Sequence, residues 1–410
     1  MTSTIIHTAQ TTSLVDNHAH TLFAHDAGRS DWLSAMFLTD DDAAWPDGGA
    51  SPREDSQLGF AIAKWCAPRL STVINGAGEA VETDPTDPLE YWRLREQAVR
   101  VAGREAVDQV LLRGRGAAAW VVDHGFATDR LVPPERFASL AGGKIARSVR
   151  LEPLAEQALA ITASLTAGPG NGPAGTDAAS TFLGRFRALL NEAVAATHAV
   201  ALKTVAAYRT GFDIDWRKPS PGLLAAAVRN LDAKDRRHLV NPIIESAIID
   251  AALDAGLPLQ FHVGVGDAEV DLHATDPTLL DPLIRRANAA GVPIVLLHCA
   301  PWERQAGYLS SIHPLVFADV SLAVTRSGAQ AREVLSRALS WTPFNRLLYA
   351  SDGVGVAETH ALGSVLFRKA LGELIDEWVR DGDWTQAQGV RVIEQIAHGN
   401  ARRLYGLEAA

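Results

Sequence analysis

The sequence predicts a (β/α)8 barrel. Short apolar runs rich in Val, Ile, Leu and Ala recur along the 410 residues, and each is followed by a polar loop and a longer stretch with helical spacing. Runs such as PLQFHV and PIVLLH are apolar on both faces, as strands of a parallel sheet covered by helices must be. Eight such runs match the count of a closed barrel; an open doubly wound sheet is the competing arrangement. With 47% hydrophobic and 21% charged residues, the chain has the composition of a globular protein with a sizeable core. We read residues 1–410 as a single barrel domain.

The first strand is expected at Ser13–His20 (SLVDNHAH). The roughly ninety residues before the second strand are too many for an ordinary βα loop. They hold DWLSAMF, the loop AAWPDGGASPRED and the helical stretch PLEYWRLREQAVRVAGREAVDQVLLRG, so residues 24–115 read as a helical insertion over the barrel mouth. Further strands are expected at Ala118–Asp123, Ile145–Glu152, Val200–Ala206, Pro258–Val263, Pro293–His298, Val316–Ser321 and Leu347–Asp352. The Gly/Pro/Ala/Ser-rich Ala167–Ser180 interrupts the pattern and reads as a mobile surface loop. After the eighth strand, LGSVLFRKALGELIDEWV and QGVRVIEQIAHGNARRLYGL read as amphipathic helices outside the barrel.

The net charge is −10 and no dense Lys/Arg run occurs, so the electrostatic footprint of a nucleic-acid binder is missing. Two cysteines, Cys66 and Cys299, do not make a disulfide framework or a CxxC pair. The N-terminus lacks a basic segment followed by an apolar one, and no apolar run approaches a membrane span. A cytoplasmic protein acting on a small molecule is the expectation, with neither nucleic acid nor membrane as partner. The helical insertion offers a surface for a homodimer. Gly264 and Gly266 form GxG without a dinucleotide-binding context, so no nicotinamide cofactor is expected.

Chemistry concentrates at strand ends. His18 and His20 are alternate residues of one strand, share a face, and stand roughly 6 to 7 Å apart, within reach of one metal ion. His262 closes the fifth strand, His298 the sixth and Asp352 the eighth. Singly, each is an ordinary polar strand end, and an Asp before Gly is a common turn former. The C-terminal strand ends of a barrel converge on one mouth, however, and their coincidence points to a metal site. Neutral imidazoles with one carboxylate suit Zn2+, with Mn2+ or Fe2+ as the other choices and open positions for water. Such an ion lowers the pKa of water to about 7 and polarises a carbonyl, as hydrolysis at neutral pH requires.

These residues in this order resemble the amidohydrolase superfamily of metal-dependent hydrolases. VDNHAH, ALKTVAAYRTG (Ala201–Gly211), LHCAPWERQAGYLSSIHPLVFADVSLA (Leu297–Ala323) and ASDGVGVAETHALG (Ala350–Gly363) are similar to the amidohydrolase-2 branch. In particular they resemble the amidohydrolase-like domain that some fungal and plant proteins carry fused to a glutamine synthetase. The resemblance runs from Val15 to Leu407.

It implies His18, His20, His262 and Asp352 as metal ligands, with His298 beside them as proton donor or further ligand. Asp352 would also take the proton of the attacking water and pass it to a leaving amine. Lys203 lies where two-metal members carry a carbamylated, bridging lysine; a snorkelling lysine or a partner for a substrate carboxylate is the other reading, and one or two ions remain open. Tyr208 and Arg209 follow on the next loop, and an Arg fork at the mouth suits a carboxylate. Arg150 and Glu152 close the third strand and either line the mouth or pair with each other. Trp302 walls the pocket or packs in the core, and His360 faces the site or ends a helix. The expected activity is hydrolysis of a C–N bond in a small carboxylate-bearing molecule. The alternatives are nonoxidative decarboxylation, known in the same branch, and a noncatalytic metal-binding scaffold.

Overall fold

Seven parallel strands follow one another across the sheet in chain order: β1 (Leu14–Ala19), β2 (Ala117–Asp123), β3 (Lys144–Arg150), β4 (Ala201–Thr204), β5 (Leu259–Val263), β6 (Ile294–His298) and β7 (Val316–Ala318). The computed structural model describes residues 3–38, 53–113, 116–166, 178–232 and 236–408. Helices separate every successive pair of strands, the α/β alternation expected from the apolar runs. β1, β4, β5, β6 and β7 are buried along their whole length and β2 at all but one residue, because helices cover the sheet, whereas β3 is only partly buried.

The eighth strand expected at Leu347–Asp352 is not regular. Leu347 makes one isolated parallel bridge to Ala318. The Leu348 amide donates to Ala318 O at 2.9 Å, Asn17 N to Tyr349 O at 2.9 Å and Asp352 N to His18 O at 3.1 Å. The segment therefore links β7 back to β1, as in a barrel, without a continuous ladder. Its pleat ends where Asp352 takes φ 50°, the left-handed region that an extended strand cannot include.

Three strand ends fall short of the expected bounds, and at two of them a side chain captures the backbone. β3 stops at Arg150 and the helix Leu151–Thr166 begins at once. Glu152 Oε1 then accepts from the Val205 amide (2.7 Å) and the Thr204 hydroxyl (2.6 Å), ending β4 at Thr204, two residues before Ala206. Asp319 Oδ1 accepts from Ser321 N (3.0 Å), so β7 gives way to the helix Ser321–Arg326. Local side-chain acceptors of this kind compete directly with ladder bonds.

Val15, Ala119, Val121, Ala201, Val295, Leu297, Phe317 and Leu348, drawn from around the sheet, pack together with Ala401 and Tyr405 of the C-terminal helix Asn400–Tyr405. Two larger apolar clusters lie between sheet and helices.

Between β1 and β2 the described residues form the helices Arg29–Phe37, Gln57–Trp65, Ala67–Gly76, Tyr91–Ala102 and Arg104–Leu112. Most of AAWPDGGASPRED, and residues 167–177 of the expected surface loop, lie outside the described residues. Trp32 stacks on Tyr91 with ring centroids 5.7 Å apart. Arg95 Nε meets Glu358 Oε1 at 2.8 Å, and the Tyr91 hydroxyl donates to the same oxygen at 3.1 Å. This pair ties the helical segment to the long helix Ala357–Arg380. Because Arg95 and Glu358 are only 3% and 0% exposed, Glu358→Ala leaves a buried cation unpaired and is expected to cost about 3–5 kcal/mol. Urea unfolding measures it, and an Arg95→Met/Glu358→Leu pair should lose much less.

Candidate metal centre

β1 brings His18 and His20 to the C-terminal rim of the sheet, β5 brings His262, β6 brings His298, and the segment after β7 brings Asp352. Asp352 Oδ1 lies 3.6 Å from His18 Nε2 and 3.7 Å from His20 Nε2, and Oδ2 lies 3.8 Å from His298 Nδ1. The ring centroids of His18 and His298 are 5.9 Å apart and those of His262 and His298 4.4 Å. Residues scattered over the chain thus converge. His298, Cys299 and Asp352 have φ of 69°, 59° and 50°, each a strained conformation for a residue with a Cβ and characteristic of functional rims.

The hydrogen bonds assign the imidazole tautomers. Gln260 Nε2 donates to Asn17 O and the Tyr405 hydroxyl, both at 2.9 Å, which turns Gln260 Oε1 towards His18 Nδ1 at 3.0 Å. An amide oxygen only accepts, so Nδ1 carries the proton and Nε2 presents a lone pair. His20 Nδ1 donates to Asp123 O (2.8 Å) in the same way. Ser321 gives its proton to Asp319 Oδ1 (2.7 Å) and accepts from His298 Nδ1 (2.7 Å). His262 is reversed, with Nε2 donating to Val265 O at 3.0 Å and Nδ1 left as acceptor.

All four rings are buried. Burial holds every one of them well towards the neutral form, with Lys203 opposing a positive charge on His18, His262 and His298; His20 falls to about 4. Burial raises Asp352 to about 7 against the pull of Lys203 and Arg326.

His18 Nε2 and His298 Nε2 are buried without any hydrogen-bond partner. Orphaned acceptors beside a carboxylate are costly unless something completes them. Neutral imidazoles, each oriented through its second nitrogen, together with one carboxylate are the donor set of a divalent metal site. His18, His298 and Asp352 have ligand atoms within 4.8 Å of one another, and so have His18, His20 and Asp123. The residues present fit a divalent cation.

Gln260→Leu or Ser321→Ala removes the partner that fixes His18 or His298 and should weaken metal binding by about 10–100-fold; competition with a chromogenic chelator reads this directly.

The other expected residues separate. Lys203 is buried in β4, in register with Arg150 on β3 and Gln260 on β5, and burial with Arg150 nearby brings its amine down to about 8. The Tyr208 ring lies 4.6 Å from that of His262. Arg209 instead faces Glu156 (3.5 Å) and contacts His238. Trp302 Nε1 donates to Thr275 Oγ1 at 3.3 Å. His360 sits between Trp120 and Phe137, directly under Gly353, where a Cβ would stand 2.3 Å from its Nδ1. Arg150 does not pair with Glu152.

Arg150 clasps Asp123 Oδ2 with Nε (3.0 Å) and Nη2 (2.6 Å), and although burial opposes it, this cation holds Asp123 well below the usual carboxylate range. Asp123 was missed by the motif reading, though it ends an expected strand and that position alone marks it. Gln260, Asp319 and Ser321 carried no comparable signal.

The sequence pattern of the Amidohydrolase family matches residues 126–407. The fluG protein of Emericella nidulans is 28% identical over 99% of this chain, which spans 47% of that protein, about half its length. A Lactobacillus casei structure described as a metal-dependent hydrolase is similar with a TM-score of 0.74 at 22% identity, covering 99% of both chains. Uronate isomerase of Thermotoga maritima shares the fold with a TM-score of 0.64 at 12% identity, covering 98% of this chain and 96% of its own. The chain belongs to the amidohydrolase family.

Proposed function

We propose that this amidohydrolase, built on a (β/α)8 barrel, hydrolyses a C–N, amide-type bond of a small carboxylate-bearing molecule with a divalent cation, zinc before manganese or iron. The observation that carries the reading is that His18 and His298 each keep a buried Nε2 without a hydrogen-bond partner while both rings stand against Asp352, His18 through that Nε2 and His298 through Nδ1. A divalent cation in such a site supplies water acidified to near neutrality and polarises a carbonyl. His18, His20, His262 and Asp352 would hold it. Asp352 directs one oxygen to His18 and His20 and the other to His298. The second oxygen is thereby placed to take a proton from water and deliver it to the leaving nitrogen. The relay through Ser321 to Asp319 favours His298 as an acceptor at Nε2, the form that binds a cation or receives a proton. Tyr208, packed on His262, walls the substrate side.

A panel of amides, γ-glutamyl conjugates, aromatic and unsaturated carboxylic acids and uronates tests the reading on metal-loaded protein. Amine or ammonia release is the expected result. Release of CO2 would make the protein a decarboxylase, aldose–ketose interconversion an isomerase, and no turnover at all a scaffold. Lys203 has its own test: metal is counted after purification with zinc or manganese plus bicarbonate. Two ions falling to one in Lys203→Ala mark a bridging lysine, and one ion in both proteins removes that role.

A further inference from the structure

Arg326 ends the short helix Ser321–Arg326 that follows β7. The first residue of this helix holds His298, and its Thr325 hydroxyl contacts the Ser351 carbonyl (3.1 Å), next to Asp352. Arg326 Nη2 donates to Ala35 O at 3.1 Å, in the first helix after β1. The guanidinium therefore bridges two walls at the rim, one of them contiguous with the metal centre. Its Nε and Nη1 atoms are buried without a hydrogen-bond partner, and among the described residues it joins no ion pair.

Burial lowers Arg326 only to about 10, with Asp352 and Tyr208 acting in the opposite direction, so it stays a cation at neutral pH. Buried donors left free on a half-buried charge are costly for a fold to keep, and an anion completes them. Arg150 is engaged by Asp123, and Arg209, although its Nε is also unpartnered, by Glu156 and His238.

We propose that Arg326 is the anchor for the substrate's carboxylate and sets the enzyme's preference for acids over neutral molecules of the same shape. One unpaired guanidinium balances a monoanion, and a planar carboxylate matches its N–H groups. The inference rests on the catalytic reading above for the word substrate, but not on which bond is broken. It also moves the anion-binding role from Arg209, in the loop after β4 where sequence alone looked for it, to the helix after β7.

The test is binding, independent of turnover. Metal-loaded protein is titrated with monocarboxylates from acetate to hexanoate and benzoate, each paired with its primary amide, and read by thermal shift and calorimetry. At least one acid should bind about ten- to a hundredfold more tightly than its amide. That preference should collapse in Arg326→Gln and survive in part in Arg326→Lys, with metal content and ligand-free melting temperature unchanged as the check on folding. Two results overturn the proposal: no acid outperforms its amide in the unmodified protein, or the preference persists undiminished in Arg326→Gln. If it persists there but vanishes when His18 and His20 are replaced, the metal alone takes the carboxylate; Arg326 is then excluded while the hydrolase reading stands. If no amine is released from the substrate panel but the acid preference depends on Arg326, the reverse holds.

Discussion

Replacing His18 and His20 together by alanine is expected to remove the metal and, with it, turnover. Both rings offer Nε2 towards Asp352 Oδ1, at 3.6 and 3.7 Å, and both are neutral because burial opposes their charge, so no competing proton has to be displaced. Losing two imidazoles leaves too few donors for a first-row ion. Metal content after dialysis should fall to background. Added zinc at a thousand times the original Kd, which stabilises the unmodified protein by about 4 kcal/mol, should no longer raise the melting temperature. Turnover should drop by at least about a thousandfold, the equivalent of the several kcal/mol of charge stabilisation that a metal contributes. Full activity in a metal-free double variant would end the mechanism proposed here. The variant is not structurally silent, since Gln260 Oε1 and Asp123 O lose their donors; far-ultraviolet circular dichroism is the accompanying control.

The second large effect is expected from Asp352→Asn. Asparagine keeps the volume and tolerates the left-handed backbone at φ 50°, so the loss is chiefly that of a carboxylate. If Asp352 moves the proton between water and leaving group, kcat should fall by about 10²–10⁴. Metal binding should weaken without vanishing, because the imidazoles remain. Titrating metal until activity saturates separates the two contributions. A kcat restored by excess metal would make Asp352 a ligand only, and its proton role would be lost. Asp352→Ala is the weaker experiment, because removing the polar group from a left-handed residue adds backbone strain to the chemical effect.

The strand-end residues were legible in the chain because a parallel β strand imposes a period of two and its C-terminal end is where this architecture gathers its chemistry. His18, His20, His262, His298 and Asp352 are each marked by an apolar run that stops at them. The stretch PLEYWRLREQAVRVAGREAVDQVLLRG, read as helical from its spacing, forms the helices Tyr91–Ala102 and Arg104–Leu112. Strand ends at Ala206 and Ser321 were misplaced because the acceptors that interrupt the ladders, Glu152 Oε1 and Asp319 Oδ1, act across the fold or two residues along it, and apolar periodicity carries no trace of them. The last strand, read from an apolar LLYASD, is reduced to a single bridge at Leu347, and Asp352 turns left-handed at its end.

Side-chain periodicity and the order of apolar runs were enough for the βα alternation and for marking strand-end histidines and Asp352 as a candidate set, since both depend on properties that a residue carries alone or with its near neighbours. Which arginine stands free depended on packing. Arg209, in a motif, is taken up by Glu156 and His238, whereas Arg326, which no pattern marks, keeps two buried nitrogens unpaired. The tautomers of the four histidines likewise come from Gln260, Ser321 and backbone carbonyls distant in sequence. Hydrogen-bond satisfaction is a property of the three-dimensional neighbourhood, and a linear pattern cannot specify who meets whom.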